Sequence, residues 1–427
     1  MRRNRALLIL LAVAFGAAFL KAGSFPGVAA FVPAPATHIA ATTAHVESRF
    51  ASSKLHTQVH AASAIELKDG TVRAFWFSGS REGAADVTIH SAVFDPQLGR
   101  WGKETVVASR ESTQHGLHRY VSKVGNPVPA RTADGRLWLY YVTVSLGGWA
   151  GSSITAISSD DEGLSWSAPR RLITSPFANI STLVKGAPFL YADGTLGLPV
   201  YHESFSKFAE LLRLDRHGTV IDKQRLAAGG QGSLQPVLLV QDAQRATVLT
   251  RYSGSEAPRR ARTMSTQDGG QHWSAPVASA LPNPDAALSA VVLADGRWLA
   301  ALNNQQAGRD SLSLMLSADQ GASWRVVQVL EDQRGQAAAC EPRIDAALRQ
   351  SDLAVAHAAP EVYAGYRDSA RVKVQSGGAC NFEFSYPYLI QTRAGDFHLL
   401  YTWNRVFIKH LHFDTAWIEQ RLREAAP

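Results

Sequence analysis

Short apolar runs alternating with polar residues recur along most of this chain, and they come in pairs around a turn. Ala64-Ile65-Glu66-Leu67 precedes Asp69-Gly70, and Val72-Arg73-Ala74-Phe75-Trp76 follows it. Period-two alternation marks half-buried strands, and Asp-Gly between two such runs marks a hairpin. The arrangement returns at Asp134-Gly135, Asp193-Gly194, Asp242, Asp295-Gly296 and Gly395-Asp396. Six hairpins of one kind predict six repeated units. No helical period of comparable length is read from the pattern. Only Ile418 to Glu424 is expected to form a short helix.

A second series runs in phase with the first. Ser159-x-Asp161-x-Gly163-x-x-Trp166, Thr266-x-Asp268-x-Gly270-x-x-Trp273 and Ser317-x-Asp319-x-Gly321-x-x-Trp324 share one template, the Asp box. The hydroxyl and carboxylate can bond turn backbone groups, glycine permits a left-handed turn, and tryptophan packs the turn onto its sheet. Such aspartates are expected to be structural rather than catalytic. Degenerate copies appear at Asp95 with Gly99 and Trp101, at Asp215 with Gly218, and at Asp414 with Trp417. Successive aspartates stand 51 to 66 residues apart, except for a last interval of 95 that holds an insertion of about residues 331–378.

Units of about 50 residues with two hairpins each are four-stranded blades. The predicted fold is all-β: a six-bladed β-propeller of four-stranded antiparallel blades with Asp-box turns, spanning 45–427 after a linker at 31–44. In each blade the strand before the Asp-Gly turn is expected next to the axis. Its start and the end of the following strand then lie on one face. That geometry gathers His60, Asn126, Gln235 and Tyr386 from strand starts, and Arg81, Glu82, His202, Glu203, Arg251, Asn303, Asn404 and Arg405 from strand ends. Loops add Asp86 and Arg309. Two readings stay open for this convergence, a ligand site and a water-filled polar channel.

Composition narrows the class. The 427 residues are 46% hydrophobic and 19% charged, as in a globular protein. Arg2, Arg3 and Arg5 precede an uncharged apolar run of 15 residues, Ala6 to Leu20, and Val28-Ala29-Ala30 offers small residues for cleavage. Residues 1–30 therefore read as a signal peptide or an uncleaved N-terminal anchor, with the propeller periplasmic, secreted or membrane-anchored outside the cytoplasm. That segment carries four of the seven net positive charges and leaves +3, which makes no case for nucleic acid. Cys340 and Cys380 are the only cysteines, a candidate disulfide in an oxidising compartment, with two unpaired thiols as the alternative. No spacing forces a metal site, no cofactor is expected, and the chain is expected to be a monomer.

On these boxes and strand ends the sequence resembles the sialidase (neuraminidase) superfamily, in particular its bacterial Asp-box branch, over about residues 45–417. In that family three arginines clamp a sugar carboxylate. The resemblance places two of them at Arg251 and Arg309. The first family arginine has His60 in its place, with Arg81 nearby, and an imidazole is no equivalent of a bidentate guanidinium. The family's tyrosine nucleophile corresponds to Tyr386. Its activating glutamate would fall in Gly232-Ser233-Leu234-Gln235-Pro236, which holds no carboxylate, so Glu203 or Glu383 would serve from a neighbouring loop. The general acid/base corresponds to Asp86, with Glu82 as the alternative. Asn126, Asn303, Asn404 and Arg405 read as substrate hydrogen-bonders, joined by His202 and Gln235.

The implied activity is exo-acting glycoside hydrolysis of a terminal acidic sugar from a glycan. Two alternatives remain: a non-catalytic glycan-binding propeller, and a polysaccharide lyase on a uronate-containing glycan with Tyr386 and His202 as acid and base.

Overall fold

The computed structural model describes residues 2–23, 29–34, 43–175, 179–204, 206–226, 232–335, 339–375 and 380–424. Six antiparallel sheets follow one another along the chain and form the blades of a propeller. Their inner strands are Gln58–Glu66, Lys123–Arg131, the split pair Leu183–Val184 and Phe189–Leu190, Ser233–Val240, Ser289–Val292 and Phe384–Gln391. Blade 1 differs from a plain four-stranded sheet in that its outer edge is shared by two short strands, Arg100–Trp101 and Thr105–Ser109.

The last blade takes its outermost strand from the other end of the chain. Val46–Phe50 pairs with Phe407–Phe413, running from Val46 opposite Phe413 to Phe50 opposite Lys409. This pairing closes the ring and covers an edge that would otherwise offer unpaired backbone groups. Phe50 is buried against Phe407 and Trp403, with ring centroids 4.6 and 5.6 Å away.

The three complete Asp boxes form one structure. In each, the hydroxyl donates to the aspartate (2.7, 2.8 and 2.8 Å) and accepts the glycine N–H (2.7, 3.1 and 2.8 Å). The glycines share φ of +88°, which a Cβ would strain. Hydrogen bonds from Ser165, from the His272 backbone and from Ser323 hold Asp161, Asp268 and Asp319 at about 2. Those carboxylates are committed to their turns. Trp166 packs edge-on to Phe75 of the preceding blade, so this tryptophan also ties neighbouring sheets together. The Asp414–Trp417 remnant is no box: Asp414 caps the C-terminal helix Thr415–Glu424 by accepting the Trp417 N–H at 2.7 Å.

Other departures from the sequence reading concern helices and termini. The insertion is helical, with Cys340–Ser351, Leu353–Ala356 and Pro360–Val374. Its buried face is Ile344, Ala347, Leu348 and Ser351 on one helix and Ser369, Ala370 and Val374 on another. Small and hydroxyl residues make up much of that stripe, so the 3.6-residue period is faint. Residues 336–338 and 376–379 lie outside the described part. Cys340 and Cys380 form a disulfide across 40 residues of sequence, which restricts the unfolded chain by about 4 kcal/mol on loop entropy. A further helix, Arg110–Leu117, joins blades 1 and 2. Residues 35–42 of the expected linker, and Val28 of the cleavage stretch, lie outside the described residues. Phe31 at the linker's start is buried on Phe189 and Tyr191, and its N–H donates to Ala243. Arg2–Gly23 is a helix with exposed leucines, yet among the described residues no helix is long and apolar enough to cross a membrane.

The closing strand gives a direct test. Phe50→Ala should lower unfolding stability by about 3–5 kcal/mol through the cavity it leaves, read as the shift in denaturant midpoint. A change below 1 kcal/mol would mean that the ring does not depend on this seam.

Candidate functional site

Close to the start of five of the six inner strands stands a non-glycine residue in the left-handed region. They are Ala61 (φ 56°), Asn126 (44°), Gln235 (52°), Asp285 (61°) and Tyr386 (54°). In blades 1, 2, 4 and 6 the residue sits in a bulge where two residues oppose one. Proline follows three of them, at 127, 236 and 387, and its missing N–H suits an unpaired ladder position. The repeated bulge re-aims side chains toward one mouth.

Tyr386 lies at the centre. Its ring is 4.1 Å from that of His60, and its hydroxyl accepts from Gln235 Nε2 at 2.9 Å. Arg251 Nη1 donates to Gln235 Oε1 at 3.4 Å, which fixes the amide so that its NH2 faces the phenol. Beneath the tyrosine, Lys185 donates to the Pro387 carbonyl at 2.8 Å, with its ammonium 5.7 Å from the Tyr386 ring centre. Lys185 is only 4% exposed, and that burial brings its amine down to about 7. His60 is buried with Nδ1 2.8 Å from Thr402 Oγ1. Burial first, and then the charge of Arg405, drive its pKa well below the usual value, so it is neutral.

Three arginines converge here. Arg251 Nε donates to Asp285 at 2.6 Å. Arg309 donates to the Asp285 carbonyl at 2.8 Å and to Glu383 at 3.3 Å. Arg405 spans Glu383 and Glu82 at 2.7 and 2.6 Å. Burial alone would raise the Glu383 carboxyl, but the bonds and charge of Arg405 reverse this and hold it at about 2. Asn404 clamps the same segment: its N–H donates to the Glu383 carbonyl and its Oδ1 accepts the Glu383 N–H at 2.8 Å. A cavity of about 510 Å³ opens over Arg309, Glu383 and Arg405, and Lys373 of the insertion reaches into its lining. Burial, and then the charge of Arg405, lower the Lys373 pKa.

Glu203 is half-buried beside this cluster. Burial raises its carboxyl, against the opposing charges of Arg251 and Lys207 and with those of Asp285 and Glu82. A carboxyl with a raised pKa is the kind of group that general acid chemistry uses.

The remaining residues named from sequence divide. Asp86 is exposed and turned to its own loop, where both oxygens accept from Ser80 at 2.9 Å. Arg81 is exposed. His202 stacks on Phe208 at 4.7 Å, and its pKa falls first through burial. Asn303 is buried and donates to the Ser311 and Phe384 carbonyls, both at 2.7 Å, bracing the last blade. Asn126 fills its bulge at the rim. Asp285 belongs to the strand start Pro284-Asp285-Ala286, whereas Lys185 was not picked out from sequence. A lone lysine between Val184 and Gly186, at the end of an apolar inner strand, is the signal that could have found it.

No curated protein sequence matches this chain. Solved structures of the same fold include the Hadza microbial sialidase Hz136, at 15% identity and TM-score 0.61 over 84% of this chain, which spans 66% of that sialidase's length. A protein of unknown function from Dyadobacter fermentans has 13% identity and TM-score 0.61, covering 86% of this chain and 99% of its own. The NanB sialidase of Streptococcus pneumoniae has 10% identity and TM-score 0.58, covering 84% and 68% respectively. At such identities the likeness extends to the propeller alone. Residues 70–399 match the BNR repeat-like domain, and because that span is most of the chain, the protein belongs to the BNR repeat-like domain family.

Proposed function

We propose that this protein is an exo-acting glycoside hydrolase of the sialidase type that removes a terminal acidic sugar from a glycan. The observation that carries this reading is the run of hydrogen bonds and ion pairs that joins Arg251, Arg309 and Arg405 through Asp285 and Glu383 beside Tyr386. The guanidiniums bind the sugar carboxylate, since planar forks held by fixed acceptors are suited to bidentate recognition. Arg405 stands where neutral His60 cannot supply charge. Tyr386 stabilises the positive charge that develops at the anomeric carbon, with the Gln235 amide aimed at its oxygen. Glu203 protonates the leaving oxygen and, once ionised, takes a proton from the incoming water. Residues 1–30 direct the propeller out of the cytoplasm, where the Cys340–Cys380 disulfide is stable. One observation favours a second reading, a non-catalytic glycan-binding propeller: Gln235 cannot act as a base toward Tyr386.

Release of the fluorophore from an α-linked sialoside distinguishes the two. The wild-type chain should turn over, and Tyr386→Phe should lose at least about 10³-fold in kcat/KM. Saccharide binding with no turnover in either protein would establish the second reading.

Glu203 sets the pH dependence. A general acid with a raised pKa works below that pKa, so kcat/KM should fall as pH rises through it. Glu203→Gln should cost on the order of 10²–10⁴-fold and flatten this limb. An unchanged limb would assign the acid to another group.

Lys185 exchanges stability for site geometry. Its folded pKa of about 7 lies below the unfolded value near 10.4, so the unfolded chain binds the extra proton between them. Stability is therefore full above about pH 10 and declines as pH falls toward 7. Lys185→Met should raise the unfolding midpoint at pH 7, lose that advantage by pH 10, and reduce turnover. An equal midpoint shift at both pH values would show that the lysine's charge is not the cause.

A further inference from the structure

The seam that closes the ring gathers three metal-ligating side chains away from the axial mouth. His45 stands immediately before the strand Val46–Phe50, Glu47 lies within it, and His412 lies on the paired strand directly opposite Glu47. One ligand atom from each is within 4.8 Å of the other two. His412 Nδ1 is 3.4 Å from Glu47 Oε1. That is longer than an ordinary N–H···O bond, and it matches the roughly 3.3–3.4 Å between two ligands of a tetrahedral ion with bonds of 2.0–2.1 Å.

The surroundings also fit an ion. Arg49 holds the other oxygen of Glu47 at 3.0 Å and so leaves Oε1 to face the histidines. Asp396 Oδ2 lies 3.5 Å from His412 Nε2. A carboxylate behind the second nitrogen is what orients a metal-ligating histidine. That nitrogen is buried without a hydrogen bond, and His412 as a whole is 5% exposed. His398 stacks on His412 at 4.4 Å with planes 9° apart, which sets the ring's orientation. His45 closes the group from the solvent side, its ring 5.0 Å from that of His412.

We propose that His45, Glu47 and His412 form a site for a divalent transition metal of the zinc class, with a fourth position left to water, and that the ion clips the propeller shut. Two imidazoles with one carboxylate suit zinc and its neighbours, whereas calcium and magnesium take oxygen ligands. The ligands come from outer strands, so the ion's role is structural. It joins the first strand of the ring to the last, and its binding energy adds to folding.

The test uses the untagged full-length chain, stripped with a chelator and titrated with zinc chloride against a chromophoric competitor. One zinc should bind per chain, and the thermal midpoint should rise by roughly 3–5 °C at a hundredfold excess over Kd. Calcium chloride should leave the midpoint unchanged. His45→Ala alters only an exposed side chain and keeps the fold, and it should weaken zinc binding at least tenfold. Glu47→Gln, of the same size as the original, should do likewise. The proposal is overturned if the wild-type chain takes up no zinc, or if both variants bind it with unchanged affinity and stoichiometry.

Discussion

The pairing of Val46–Phe50 with Phe407–Phe413 is the interaction on which the rest of the structure depends. Hairpins within a blade are local and form with short loops. The ring exists only when residues more than 350 positions apart meet, and that pairing turns six wedges into a closed set with few exposed edges. The candidate site lies over the same seam. His60 of blade 1 touches Tyr386 and Thr402 of blade 6, Glu82 of blade 1 bonds Arg405 of blade 6, and the Val59 N–H donates to the Arg405 carbonyl. Opening the seam would separate these partners before disturbing any other blade. Site geometry and ring stability are therefore one quantity here.

Within the ring, the recurrent bulge converts repetition into chemistry. A regular inner strand alternates its side chains between the two faces of its blade. A left-handed residue in a bulge near the start of four inner strands breaks that alternation. Each such residue carries strain of order 1–3 kcal/mol. Opposite these bulges stand Trp76, Tyr141, Thr250 and Tyr401.

Legibility in the sequence followed the range of the interactions. Asp boxes and Asp-Gly turns could be read because their bonds join residues four or fewer positions apart. Strand starts and ends could be read because period two fixes the face. Closure into a six-bladed ring could be read from the repeat, but the strand pair that makes it could not, because nothing local in Val46–Phe50 names its partner. The helical insertion escaped because Ala347, Ser351, Ser369 and Ala370 pack closely without making a strong apolar period. Asp86 sits in the loop where a catalytic acid is expected from sequence, yet Ser80 takes both its oxygens. Glu203 differs from Asp86 for a reason no spacing reveals, namely the burial that raises its carboxyl.

The charges of the site are distributed unevenly, and this bears on what it accepts. Neutral His60 removes positive charge from blade 1, while Arg309, Arg405 and Lys373 concentrate it over blades 5 and 6 beneath the helical insertion. Glu383 anchors that side. It stays ionised through its arginine partners, and it follows Cys380 by only three residues. The disulfide that fastens the insertion therefore also fixes the start of the segment that orients two arginines. A guanidinium held by a carboxylate on one edge keeps its remaining N–H groups in a set plane, so a second acidic group can dock without rearrangement. The cost of placing these ions in a half-buried cluster is met in advance by their mutual pairing. On the proposed reading, an acid group that points toward the insertion would meet these donors, whereas a neutral sugar would leave them facing water.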